Sequence, residues 1–135
     1  MRTPLVFGLI SLLSALSASA AQPEDFLADF SVLATQEGAG FPGFNAERGR
    51  QFFTSRHGGD WSCSSCHTGN PAASGQHVLT HKTIQPLAPA ANPERFTQAP
   101  KVEKWFKRNC RDVLKRDCTA REKGDVLTYL LTLSR

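Results

Sequence analysis

The chain of 135 residues contains a single methionine, and it is Met1. No thioether from the body of the protein is therefore available as a metal ligand. Long apolar runs are also missing: the one apolar stretch, Leu5 to Leu16, is broken by small residues and falls short of the roughly 18 to 20 residues that a spanning helix needs. That excludes stable membrane insertion. No run of alternating apolar and polar residues signals a strand, and no segment repeats. The expected fold class is all-α.

What is present begins with an export signal. Arg2 supplies a positive start, Leu5 to Leu16 the apolar core and Ala18-Ser19-Ala20 an A-x-A cleavage site. Residues 1–20 are expected to be a cleaved signal peptide, leaving residues 21–135 as one small periplasmic domain. Cleavage also removes Met1.

Cys63-Ser64-Ser65-Cys66-His67 is the C-x-x-C-H pattern on which haem c is mounted. Two thiols three residues apart each add to a porphyrin vinyl group, and the following imidazole ligates the iron. A zinc site would need a second close Cys or His pair, whereas Cys110 and Cys118 are widely spaced. A redox-active C-x-x-C would leave His67 unexplained and lacks a βαβ pattern around it. One covalent haem is the expected cofactor. Without a methionine ligand, the second axial position is empty or is filled by histidine, lysine or an oxygen donor.

Four helices are expected. Phe26, Phe30 and Leu33 mark an amphipathic helix over 23–36. Asn45 caps a second, from Ala46 to about Ser55, with Gly49, Phe52 and Phe53 inward. Residues 67–92, rich in Pro and Gly, read as a long irregular loop wrapped on the cofactor. The third helix runs from about Pro100 to Lys115 with Val102, Trp105, Phe106, Asn109 and Val113 at helical spacing. Thr119 to Glu122 is a capping box that opens the last helix, whose apolar stripe is Val126, Leu127, Leu130 and Leu131.

Asn109 falls on the apolar face of the third helix, where an amide needs a partner. The iron is one candidate; a backbone group or a haem propionate is another. His57, His77 and His81 compete for the iron. His77 and His81 follow His67 so closely that the loop would have to cross the haem edge quickly, and His57 precedes the socket on the proximal side.

The haem socket, Pro86-Leu87-Ala88-Pro89, Asn92-Pro93-Glu94-Arg95-Phe96-Thr97, the run from Val102 through Trp105-Phe106 and Asn109-Cys110, then Cys118-Thr119 and Glu122-Lys123-Gly124-Asp125-Val126 resemble the sphaeroides haem proteins. These are a small branch of the class I cytochromes c. The match spans about Phe52 to Leu130. The resemblance implies a class I cytochrome c fold, with N- and C-terminal helices packed around one covalent haem. It implies Asn109 as sixth ligand and a Cys110–Cys118 disulfide. It further implies an iron that sheds its asparagine on reduction and then binds oxygen, nitric oxide, carbon monoxide or similar ligands, with a di-haem cytochrome c as redox partner.

Elementary chemistry agrees with that behaviour: an amide oxygen is a hard, neutral donor that suits ferric better than ferrous iron. The remaining cysteine pair would persist as a disulfide in an oxidising compartment. Charge is uneven. Residues 95–123 hold ten Lys or Arg against four Asp or Glu, and residues 21–94 hold four against seven. This basic third suits an acidic redox partner, while a net charge of +4 on an exported haem domain argues against nucleic acid. There is no clear general acid or base, so any turnover is expected to be oxygen- or nitric-oxide-linked redox activity at the haem. The competing expectation is a plain electron carrier with bis-histidine ligation, His67 with His77 or His81.

Overall fold

The computed structural model describes residues 20–38 and 40–134. The expected signal segment, apart from Ala20, lies outside the described residues. No described helix is long and apolar enough to cross a membrane.

The first helix, α1 (Pro23–Glu37), opens with Pro in its first turn, and the Asp25 carboxylate accepts the Gln22 N–H at 2.8 Å. Its buried face is Pro23, Phe26, Phe30 and Ala34. Leu33, expected inward, is 46% exposed: the buried stripe follows the i, i+4, i+8 row along which α1 meets the last helix. In α2 (Ala46–Thr54) the Asn45 side chain accepts the Arg48 N–H, as a cap should. Phe53 is 1% exposed.

The last helix, α5 (Ala120–Leu131), has the reciprocal Thr119/Glu122 capping box and buries Val126, Leu127 and Leu130. Its partners are α1 and α2. Contact with α2 is close enough that a Cβ on Gly49 would run into the Asp125 backbone carbonyl, so only glycine fits there. Beside that contact the buried Asp125 carboxylate accepts Arg48 Nε at 2.6 Å, Arg48 Nη2 at 2.7 Å and the Asn45 N–H at 2.7 Å. At the other end of α1 the Glu37 carboxylate accepts the Ala120 N–H at 2.9 Å, satisfying one of the orphan donors of α5. The terminal helices are thus joined by apolar packing and by a cap.

The third expected helix is α4 (Ala99–Leu114), ended by Lys115 in the left-handed region at φ 60°. Its Phe106 ring lies 5.8 Å from Phe30 and 6.3 Å from Phe96. Phe106 and Phe96 pack against both halves of the core, Phe26/Phe30/Val102/Leu127 and Phe53/Val126/Tyr129/Leu130. The loop after the haem motif is irregular as expected, but it contains a two-residue antiparallel ladder, β1 (Gly75–Gln76) with β2 (Thr83–Ile84), Gly75 opposite Ile84. A pairing this short has no room for the alternation that announces a strand.

Candidate functional site

The C-x-x-C-H residues form a single helical turn, α3 (Cys63–His67), and the Ser62 N–H donates to Ser65 Oγ at 3.0 Å. Helical winding brings residues three apart onto one side, so Cys63 and Cys66 are presented together. Neither is in a disulfide. In the polypeptide before attachment, burial pushes the Cys63 thiol up to about 11. Gly75 comes down on this turn so closely that a Cβ would meet the Cys66 carbonyl. Glycine is required there, and nothing in the sequence around it announced that role.

Burial, and secondarily the positive charge of Arg95, holds the His67 imidazole down to about 4. It is therefore neutral, the form in which a ring nitrogen offers a lone pair to a metal. Its Nδ1 is buried with no hydrogen-bond partner among the described residues. A buried polar atom left in that state calls for a missing partner.

Arg95 is a second group of this kind. The half-buried guanidinium donates from Nε to the Pro86 carbonyl at 2.9 Å and from Nη2 to the Gln85 carbonyl at 2.8 Å. No carboxylate among the described residues pairs with it. A half-buried cation beside a neutral imidazole suits an anionic group such as a propionate. Sequence reasoning quoted Arg95 only as part of a motif, because one arginine among sixteen cations has no signature of its own.

Asn109 sits half-buried on α4, one turn beyond Phe106 and one before the buried Val113. Its side-chain amide makes no hydrogen bond to any described residue. The three other histidines differ. His57 is exposed, with Nε2 2.7 Å from the Phe52 carbonyl and its ring 4.4 Å from Phe52. His77 accepts the Leu79 and Thr80 N–H groups at Nδ1, both at 3.3 Å. His81 is exposed on the turn, at φ 54°.

Cys110 and Cys118 are joined in a disulfide, with Cα atoms 5.6 Å apart, which removes them from any zinc site. Among the described residues no three His, Cys, Asp or Glu side chains converge on a metal position. The cleft of about 300 Å³ beside Arg48, Phe52, Thr119 and Arg121 is a different place; its carboxylates, Asp125 and Glu122, are already paired with arginines. Trp105, expected inward, is 44% exposed.

The paired thiols, the neutral imidazole with an unpartnered nitrogen and the uncompensated Arg95 together fit a covalently attached haem. The comparisons agree. The family model described as Domain of unknown function (DUF1924) matches residues 39–130. The chain is 42% identical over 123 residues to cytochrome c-type protein SHP of Cereibacter sphaeroides, covering 88% of this chain and 94% of that protein. It is similar to the solved structure of oxidised SHP, an oxygen-binding cytochrome c, at 38% identity and a TM-score of 0.74, covering 86% of this chain and all of that one. It is also similar to the solution structure of cytochrome c'' from Methylophilus methylotrophus, a study of haem-ligand detachment, at 35% identity and a TM-score of 0.73, covering 84% and 94% of the two chains. The chain accordingly belongs to the DUF1924 family of SHP-like cytochromes c, with an all-α cytochrome c fold and one covalently attached haem c.

Proposed function

We propose that this protein is a periplasmic ligand-binding cytochrome in which Cys63 and Cys66 hold the haem, His67 is the proximal ligand and Asn109 is a sixth ligand that leaves on reduction. When bound, the haem supplies an iron that cycles between ferric and ferrous states and takes small ligands. Residues 1–20 serve as the export signal and are cleaved, and electrons come from a partner cytochrome, a di-haem cytochrome c being the expected one.

The observation that supports this reading is the half-buried Asn109 amide on α4, which makes no hydrogen bond to any described residue. An amide that served only to cap a backbone group would be hydrogen-bonded to it. Its oxygen is a hard neutral donor, which would suit ferric iron better than ferrous iron. Once free, its NH₂ remains able to donate a hydrogen bond to an incoming ligand. Oxygen, nitric oxide and carbon monoxide are the ligand class, supported by the oxygen binding of SHP and the haem-ligand detachment of cytochrome c''. Arg95, which has no carboxylate partner among the described residues, would offset the charge of the propionates. The bis-histidine alternative draws no support from the histidines, since His57 and His77 have local backbone partners and His81 lies on an exposed turn.

Carbon monoxide added to the dithionite-reduced protein should shift the Soret band, and Asn109→Ala should alter the ferric spectrum. In the reduced protein, where the amide is proposed to be released, the same variant should unfold at nearly the wild-type denaturant concentration, because the amide has no protein hydrogen bond to lose. A reduced form that ignores carbon monoxide ends the ligand-release reading; an unchanged ferric spectrum in Asn109→Ala ends the assignment of the ligand.

A further inference from the structure

The outer side of α4 carries the densest run of cations without a paired carboxylate among the described residues. Arg48 is answered by Asp125, Arg50 by Glu47, Arg116 by Glu122 and Lys123 by Glu103, and on α4 itself Arg111, near the C-terminal end, is answered by Asp117. Lys101, Lys104, Lys107 and Arg108 are all exposed, and none has a carboxylate within ion-pair distance among the described residues. The one acidic side chain within their span, Glu103, is turned to Lys123 at 2.9 Å.

Among these cations stands Trp105, 44% exposed. Lys104 Nζ lies 5.8 Å and the Arg108 guanidinium carbon 5.5 Å from its ring centroid, distances at which a cation is attracted to the ring. A helix face that only solubilises the protein needs the charges but not the indole. Neither half of the core includes Trp105. A rigid aromatic held among cations, with apolar surface still open to solvent, is the arrangement of an interface anchor, where Trp and Arg are the residue types that dominate binding.

We infer that the exposed face of α4 that carries Trp105 with Lys101, Lys104 and Arg108 is the docking surface for an acidic electron-donor protein. The cations steer the encounter and the indole fills an apolar recess on the partner. Residues four apart on a helix are neighbours, so Trp105 lies one turn from Asn109 on adjoining stripes. The donor would therefore rest on the helix that carries the distal amide. The inference rests on the reading that the haem receives electrons from another protein, and the test separates the two.

The probe is a purified c-type cytochrome of net negative charge, mixed with the holoprotein while both are oxidised, so that no electron flows and association alone is read by NMR line broadening or calorimetry. Lys104→Glu/Arg108→Glu should lower the association rate at least ~10-fold at low ionic strength. That difference should vanish in high salt. Trp105→Ala should weaken binding by roughly 10-fold or more through faster dissociation, with little dependence on salt. Both variants should keep the wild-type ferric spectrum and carbon monoxide binding. Affinity indifferent to salt and to both variants overturns the docking surface while leaving the ligand-release reading intact. Tighter, equally variant-sensitive binding to phosphatidylglycerol-containing vesicles than to the acidic cytochrome overturns it in favour of a lipid surface.

Discussion

The helical scaffold and the wall of residues proposed to face the haem treat their polar groups in opposite ways. In the scaffold every inward polar group described above has been answered by another. Asp125 holds Arg48 and the Asn45 N–H, Glu37 caps Ala120, and Thr119 and Glu122 close the box at the start of α5. Along the wall the account is left open. His67 Nδ1 and the Asn109 amide lack partners, and Arg95 has carbonyls but no counter-charge. The backbone in the stretch from the haem motif to the start of α4 takes positive φ at Thr68, His81 and Phe96.

The largest break in this comparison comes from the thiols. Cys63→Ser/Cys66→Ser should abolish covalent haem, read as loss of haem stain on a denaturing gel, because no other free cysteine among the described residues can replace them. Next is the scaffold's own ion pair. Asp125→Ala should cost about 3 kcal/mol in urea unfolding, the lower end for a broken buried pair because Arg48 is partly exposed. The molecules that remain folded should keep the wild-type ferric spectrum; a changed spectrum would mean that scaffold and wall are not separable.

The disulfide lies between the two regions, one residue after Asn109 and two before α5. Cys110→Ser/Cys118→Ser should lose about 2 to 3 kcal/mol in the chain-entropy account and should speed Asn109 release on reduction, followed by stopped-flow absorbance. Unchanged release kinetics would assign the bridge to the scaffold alone. The smallest effect is expected at exposed Glu47, whose carboxyl is held down to about 2 by hydrogen bonds from Arg50 and then Gln51. A depressed carboxyl adds stability above its ordinary value of 4.5, and that stability fades as pH falls from there toward 2. Wild type should lose slightly more Tm than Glu47→Gln across that window, with no change in the haem spectrum.

The scaffold was the more legible region from sequence. The Asn45 cap, the Thr119/Glu122 box and the stripe of Val126, Leu127 and Leu130 sit where local rules put them, because capping and amphipathic spacing act within one or two turns. Leu33 and Trp105 went the other way. Both satisfy helical periodicity, yet which edge of an apolar stripe is covered depends on the neighbouring helix, and these two lie at the uncovered edge. Arg95, Gly75 and the Asp125 cluster carry no local pattern. Arg48 and Asp125 stand 77 residues apart, and only a folded chain brings them together.

By itself the sequence determined the chemistry that one turn or one composition count can hold: a haem socket at Cys63–His67, no methionine for the iron beyond Met1, four capped or amphipathic helices and a basic C-terminal third. The tertiary structure alone decided which polar groups go unanswered, His67 Nδ1, Arg95 and Asn109, and which face of α4 stays open around Trp105. Satisfaction of a hydrogen bond or a charge is a property of the space around an atom, and that space is filled by residues distant in the chain.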